Sequence, residues 1–462
     1  VDTERLEEFI LERMREFKVP GISIGIVKDG RLVYARGFGF RDMEAGLPTT
    51  PGTIYGIGSI TKAFTALSIL KLAEENRLNL NDPVEKYIPL RLRPFGEPVL
   101  VHHLLTHTSG IPALGYAEAF INGVLGLKSN LLPLATPDDV IAFMRNAEEW
   151  AVARPGERFF YLNEGYVLLG KIVSEVGGVT YEDYVIKNIL KPLGMGRSYF
   201  REKDIERDSD VAASYIVGKG GELIRSRFPF GVTSDGGLLS NVIDMSQFVD
   251  MLINRGSLGD ARIISEDYLE LAERKYIDVP WKVIGDEGYG YGLIVSNEFF
   301  GRKLIYHSGD ILVHTAFMGY IPTEKLGVIV MSMTENYPPT RIGLYALSLM
   351  LNHDPTKELR VFREEEITRR LEGIYETYGG TVRVTIKRQG DYLLIIDTTR
   401  YTEEVTILVP EEIRYDYERQ ASPFRVGSFH CVGAQYQVYK TLPCWLAGAW
   451  VGASERGFGF FG

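Results

Sequence analysis

Residues 1–352 carry strand-like runs at both ends and helical patterns between them, and this bracketing constrains the fold more than any other feature. Near the start, "ISIGIVKDGRLVYARGFG" sets Asp29-Gly30 between two apolar runs, a β-hairpin signature. Near the end, strand character returns in "YGYGLIVS", "RKLIYHSGD" and "HTAFMGYIPTEKLGVIVMSM". From Ser59 to about Ala272 helical spacing dominates, punctuated by Pro/Gly loops such as "TSGIP" and "RPGE". A helix over Thr3–Phe17 opens the segment and "PTRIGLYALSLML" closes it. Strands so far apart in sequence predict an α+β domain whose first and last segments share one antiparallel sheet, flanked by helices and joined to a helical region.

Beyond residue 352 the pattern changes. Pro355 and the charges that follow it in "NHDPTKELRVFREEE" predict a linker over residues 353–365. A second domain over 366–462 then shows alternating strands, "GTVRVTIKR", "DYLLIID" and "EEVTILVP", with turns at Gln389-Gly390-Asp391 and Thr398 to Thr402. That alternation predicts an antiparallel up-and-down sheet or small barrel. From Ala421 onward the charged residues thin to Arg425, Lys440, Glu455 and Arg456, and alternation fades. An exposed "ERGFGFFG" would be sticky, so burial, pairing with another chain or a non-native sequence are the alternatives for this tail. No internal repeat is found.

A chain of 462 residues, 45% hydrophobic, can bury a large core. Its net charge of -10 and the lack of any polybasic run argue against nucleic acid or an anionic membrane as partner. No apolar stretch approaches the roughly 20 residues of a membrane helix. The N-terminus "VDTERLEEFILERMREF" is acidic and amphipathic, without the apolar core of a signal peptide, so a cytoplasmic protein is expected. Cys431 and Cys444 are too few to form a disulfide framework, though they could pair with each other.

Within "IGSITKAFTALSIL" a helix is expected to begin at Ser59, with Ala63, Phe64, Leu67 and Leu70 at helical spacing. Ser59 suits an N-cap. Lys62, three residues on, lies on the same helical face and could equally reach the Ser59 hydroxyl as its base. Spacing cannot decide, because Ser68 and Lys71 repeat it in the same helix. A Ser–Lys pair needs a proton shuttle and donors for an oxyanion as well. "RFFYLNEGY" offers Tyr161, whose phenol beside an ammonium can pass a proton, and Asn163, whose amide can orient a substrate or the lysine. A half-buried aromatic and a helix cap are the bland alternatives. "LIYHSGD" offers His307, Ser308, Gly309 and Asp310 on a strand, with Gly309 leaving room for another backbone and the Asp310 N–H able to pair with that of Ser59. An edge-strand histidine beside a bulge is the alternative there.

Taken together, "SITK", "YLN" and "HSG" resemble, in that order, the three motifs of the serine β-lactamase and penicillin-binding-protein superfamily, with histidine opening the third. "HLLTHTSGIP", "PGERFFYLNEGYVLLGKIV", "KPLGMGRSYF", "SDGGLLSNVIDMSQF" and "YGYGL" resemble its class C and esterase/peptidase branch, and the likeness covers most of residues 10–335. A catalytic domain followed by a barrel-like one opening with "LEGIYETY" is similar to the archaeal self-compartmentalising cubic serine proteases, whose extra domain is lipocalin-like.

The resemblance implies that Ser59 is the nucleophile and that Lys62 and Tyr161 carry its proton. Asn163, His307, Ser308, Gly309 and Asp310 would orient or bind substrate. It implies a serine peptidase acting on short peptides through an acyl-enzyme, D-residues among the substrates to test, in a homo-oligomer for which an octamer is one form. No cofactor or metal is expected. A histidine in the third motif replaces a fixed positive charge with a mostly neutral group, which fits peptides or esters better than substrates needing a carboxylate clamp. A carboxylesterase or β-lactamase of the same fold is the alternative, and a non-catalytic ligand sensor a third.

The segment "ALGYAEAFINGVLGLKSNLLPLATP" is apolar and could line the cleft, form an intersubunit contact or be an ordinary packed insertion. His102, His103 and His107 look metal-like, with His103 and His107 at i, i+4, but they lack the intervening Glu of a zinc helix and read better as core histidines. "GFGF" and "GYGYG" open no helix after a strand and so are not phosphate loops.

Overall fold

A computed structural model describes residues 2–127, 134–218, 220–231, 233–376, 381, 383–389, 392–397, 404–410, 424–426, 430–431 and 434–435. The chain divides into two units, Val1–His353 and Asp354–Gly462.

In the first unit, Asp29 and Gly30 both take left-handed backbone (φ 50° and 74°), closing the expected hairpin between β1 (Gly21–Lys28) and β2 (Arg31–Asp42). The further strands of the sheet are β3 (Leu47–Pro48), β4 (Ile277–Asp278), β5 (Gly288–Tyr289), β6 (Ile294–Phe299), β7 (Arg302–Asp310), β8 (Thr315–Ile321) and β9 (Leu326–Ser332). They form one nine-stranded antiparallel sheet in the order β4-β5-β6-β7-β8-β9-β1-β2-β3. β1 pairs with β9 from Ile22 opposite Ser332 to Lys28 opposite Leu326, so the two ends of the domain do share the sheet.

Helix α1 (Thr3–Phe17) starts at Asp2, whose side chain accepts from the Arg5 N–H at 3.2 Å. Its Leu6, Phe9, Ile10 and Met14 are buried, and Phe9 stacks on Tyr345 of a late helix, Pro339–Met350, with ring centroids 3.8 Å apart. Helix α2 (Thr61–Glu74) is apolar almost all round and buried along its length, as a central helix should be. It packs on α3 (Asn163–Gly177) in a helical layer. Helix α4 (Val242–Ile253) lies directly on the sheet. A Cβ on Gly25 would stand 2.2 Å from Val242 Cγ1, and one on Gly327 would stand 2.3 Å from Val249 Cγ1, so two glycines set how closely α4 approaches.

In the second unit, the expected linker over 353–365 is corrected. Pro355–Glu358 forms a short helical turn, and Arg360–Leu371 is a twelve-residue helix. Most of the charges read as a linker over 360–365 lie instead on the polar side of that helix, joined in an i, i+4 pair, Arg360 Nε to Glu364 Oε1 at 2.5 Å. Phe362, Glu365 and Thr368 are buried, and Ile367 and Leu371 pack on Val384, Ile386, Leu393 and Ile395. Those four belong to a five-stranded antiparallel sheet built from Gly373–Glu376, Arg383–Gln389, Tyr392–Asp397, Glu404–Pro410 and Phe424–Val426 in chain order. Gln389 faces Tyr392 across the hairpin. Closure of this sheet into a barrel, most of the tail after Ala421, and Cys444 as a partner for Cys431 lie outside the described residues. Among those described, no helix is long and apolar enough to cross a membrane.

Candidate active site

Ser59 lies where α2 meets the sheet. It sits not in α2 itself but on the 3₁₀ turn Gly58–Ile60 that precedes it, and its side chain caps neither element. Gly58 has φ 52°, a conformation that favours glycine, and a Cβ there would lie 2.6 Å from the Asp310 nitrogen. A Cβ on Gly309 would lie 1.8 Å from the Ile57 carbonyl oxygen and 2.9 Å from the Ser59 nitrogen. Two glycines therefore let the turn clasp the end of β7, main chain on main chain, and bring the Ser59 and Asp310 N–H groups close together. The room expected at Gly309 is filled by this turn. Helix α2 also lends Ser59 the positive end of its dipole.

Lys62, in the first turn of α2, is fully buried. Its Nζ donates to Ser59 Oγ at 3.0 Å, Asn163 Oδ1 at 2.8 Å and the Asp235 carbonyl oxygen at 2.7 Å. An ammonium spends all three protons in this arrangement. A neutral amine that keeps its bonds to Asn163 and Asp235 turns its lone pair towards Ser59 Oγ. Asn163 stands at the first position of α3 but does not cap it, since its Oδ1 is spent on the lysine.

Tyr161 presents its ring to the lysine: the Lys62 amine lies 4.9 Å from its ring centroid and 5.5 Å from that of Tyr166. Among the described residues the Tyr161 hydroxyl makes no hydrogen bond to Ser59 or Lys62, a looseness common in unliganded sites. His107 packs on Tyr161 with centroids 4.2 Å apart, and its Nδ1 accepts from the Leu162 N–H at 3.0 Å. His107 thus holds the Tyr161–Asn163 loop in place.

His307 is buried with both ring nitrogens engaged. Nδ1 lies 2.6 Å from the Ser308 carbonyl, so it carries the proton, and Nε2 accepts from the Tyr289 hydroxyl at 2.9 Å. Burial, reinforced by the Lys62 charge, pushes its pKa down to about 3, so the ring is neutral at pH 7. Ser308 is half-buried. The Asp310 side chain is exposed, with Oδ1 accepting from the Leu312 N–H at 2.7 Å.

Ser59, Asn163 and Asp310 line an open cleft together with Tyr116, Phe120 and Asp235. Tyr116 and Phe120 belong to helix Tyr116–Leu125, so the first part of the apolar insertion lines the cleft, while residues 128–133 lie outside the described residues. Asp235 is the residue that sequence reasoning missed. Its carbonyl holds the lysine, and its Oδ1 accepts from the Tyr116 hydroxyl at 3.3 Å. Burial pushes its carboxyl up to about 6 against the opposing pull of Lys62. The one available signal was an acidic residue inside the quoted "SDGGLL".

The three metal-like histidines have separate partners. His102 Nδ1 lies 2.7 Å from the Tyr291 hydroxyl, and His103 Nδ1 accepts from the Leu100 N–H at 3.1 Å. Among the described residues no cluster of His, Cys, Asp or Glu is arranged to hold a metal ion.

Residues 6–349 match the Beta-lactamase family. The chain belongs to that family. Residues 355–429 match the Pab87 octamerisation domain. The octameric penicillin-binding protein homologue from Pyrococcus abyssi is 54% identical to this β-lactamase-family chain, with a TM-score of 0.86 over 89% of it and 92% of the homologue. The penicillin binding protein from Bacillus halodurans is 25% identical, with a TM-score of 0.59 over 74% of this chain and 98% of that one. Protein flp of Staphylococcus aureus is 28% identical over 343 residues, 73% of this chain. The chain spans only 64% of the length of that relative.

Proposed function

We propose that this member of the β-lactamase family is a serine peptidase that cleaves short peptides through an acyl-enzyme on Ser59. The observation that carries the reading is the buried Lys62 amine, 3.0 Å from Ser59 Oγ and tied by its remaining donors to Asn163 and the Asp235 carbonyl. Ser59 Oγ attacks the substrate carbonyl as its proton passes to the Lys62–Tyr161 pair. The tetrahedral oxyanion is held by the Ser59 and Asp310 N–H groups. Collapse breaks the C–N bond, and the leaving amine takes the proton back through Tyr161. Water, giving its proton to the same pair, then hydrolyses the ester and restores Ser59. His307 positions Tyr289 and the floor of the site and supplies no charge, which disfavours substrates that need a carboxylate clamp there.

The match of residues 355–429 to an octamerisation domain and the 54% identity to an octameric homologue support a homo-octamer. Mass spectrometry of a defined mixture of L- and D-containing peptides, incubated with wild type and with Ser59→Ala, tests the activity. Cleavage by wild type alone is expected, and the product masses report side-chain and stereochemical preference. Turnover of acyl esters without peptide cleavage would replace the peptidase with an esterase, and activity retained in Ser59→Ala would sink both. Light scattering on a sizing column tests the assembly against eight times the 52.0 kDa chain mass.

A further inference from the structure

We infer that the cleft selects substrates with a protonated amine near the scissile carbonyl, and that the Asp235 carboxylate is the group that binds it. This rests on the hydrolase reading above and names its substrate class. Asp235 is only 7% exposed yet forms part of the wall of the cleft that holds Ser59. Among the described residues the one side chain that donates to its carboxyl is Tyr116, at a long 3.3 Å, beside a main-chain donor of Asp235 itself, and no arginine or lysine forms an ion pair with it. Buried carboxylates are costly unless a cation or several donors meet them.

Among the described residues Lys62 is the one cation whose charge acts on the Asp235 carboxyl, and it donates no hydrogen bond to it. Lys62 of α2 is turned to the main-chain carbonyl of Asp235, with its other donors spent on Ser59 and Asn163. Helix Tyr116–Leu125 contributes Tyr116 and Glu118, and α3 contributes Glu164, which is buried and accepts from the Tyr116 N–H at 3.0 Å. Elsewhere on the lining stands a further carboxylate, Asp310, while among the described residues no arginine lines the cleft. His307, buried neutral beside Tyr161, adds no positive charge. A substrate ammonium would meet a carboxylate with an oxygen to spare, and a substrate carboxylate would meet repulsion.

The test uses two matched pairs of p-nitroanilides: phenylalanyl against its des-amino analogue 3-phenylpropionyl, and Nα-acetyl-lysyl against Nα-acetyl-norleucyl, each chiral one as both enantiomers. A charged hydrogen bond of ordinary strength predicts a cationic-over-neutral ratio in kcat/KM of at least about tenfold for wild type in one pair. Asp235→Asn should bring that ratio to near one, and Asp235→Glu should keep it well above one. The lysyl/norleucyl ratio should rise as pH passes about 6, where the Asp235 carboxyl ionises, and then level off. Ratios near one in both pairs for wild type, or a ratio that survives Asp235→Asn, would overturn the inference. Cleavage of the neutral members, lost in Ser59→Ala, reports separately on the hydrolase reading, and no turnover of any member by wild type would overturn both.

Discussion

Helix α2 and the turn before it carry two Ser-x-x-Lys pairs nine residues apart, and their surroundings have nothing in common. Ser68 spends its hydroxyl proton on the Phe64 carbonyl at 2.8 Å, one turn back in its own helix. Lys71 reaches away from it, to the Ile263 carbonyl at 3.0 Å and the Glu75 carboxylate at 3.9 Å, near the surface. Ser59 lies on a 3₁₀ turn with its hydroxyl facing an open cleft and a buried amine 3.0 Å away. Identical spacing thus yields a helix-bonded serine with a surface ion pair in one place and a poised couple in the other. The difference comes from what the fold packs against each pair.

The comparison breaks most sharply on the serines. Ser59→Ala should lower kcat/KM by roughly 10⁴-fold or more, measured on whichever peptide wild type cleaves best. Comparable activity in this variant would remove the distinction between the pairs. For the lysines, Lys62→Met should cost about 10²- to 10⁴-fold in kcat, the usual range for a proton-transfer group, while Lys71→Met should stay within about threefold of wild type.

Acid sharpens the contrast further, because Lys62 shares its surroundings with two buried neutral histidines and Lys71 does not. Burial holds His307 at about 3 and His107 well below the ordinary value, with Lys62 adding to both shifts. The unfolded chain takes up those protons near pH 6.5 and the folded one does not, so stability is full above pH 6.5 and is lost as pH falls towards 3. Each such histidine contributes up to about 1.4 kcal/mol per pH unit across that window. Urea titrations from pH 7 to 4 should show this slope, and His307→Gln should reduce it by about one proton. An unchanged slope would mean that His307 is charged in the fold. The smallest effect belongs to Ser68→Ala, which should cost about 1 kcal/mol of unfolding free energy and leave turnover within about twofold. A large loss of turnover there would show that the second pair is coupled to the first.

Much of this organisation was legible from residue order. The hairpin at Asp29-Gly30 and the pairing of the first strand with the last follow from turn chemistry and from where strand-like runs fall. Ser59, Lys62, Tyr161, Asn163 and the 307–310 strand were grouped by motif; Ser59, Asn163 and Asp310 line one cleft, and the buried Lys62 bonds to Ser59 and Asn163. Asp235 was not legible as a site residue because its tie to Lys62 runs through a main-chain carbonyl, which leaves no trace in side-chain type. The first half of the helix Arg360–Leu371, up to residue 365, reads as a linker because its apolar stripe is narrow and its charges are dense. Its i, i+4 ion pairs were the sign that those charges lay along a helical face.

The clasp between Gly58 and Gly309 has a consequence for how such a protein can change. The seat of Ser59, the proposed nucleophile, is made of main chain, so mutation at its glycines can alter it only by adding atoms where there is no space. Another part of the cleft wall is made of side chains, among them Tyr116, Phe120 and Asp235, whose size and charge a substitution can change. On the function proposed here, bond-breaking and choice of substrate would be inherited on separate parts of the chain. A lineage, or a mutant library, can redraw what enters the cleft while the chemistry stays where it was, provided residues 58 and 309 remain glycine.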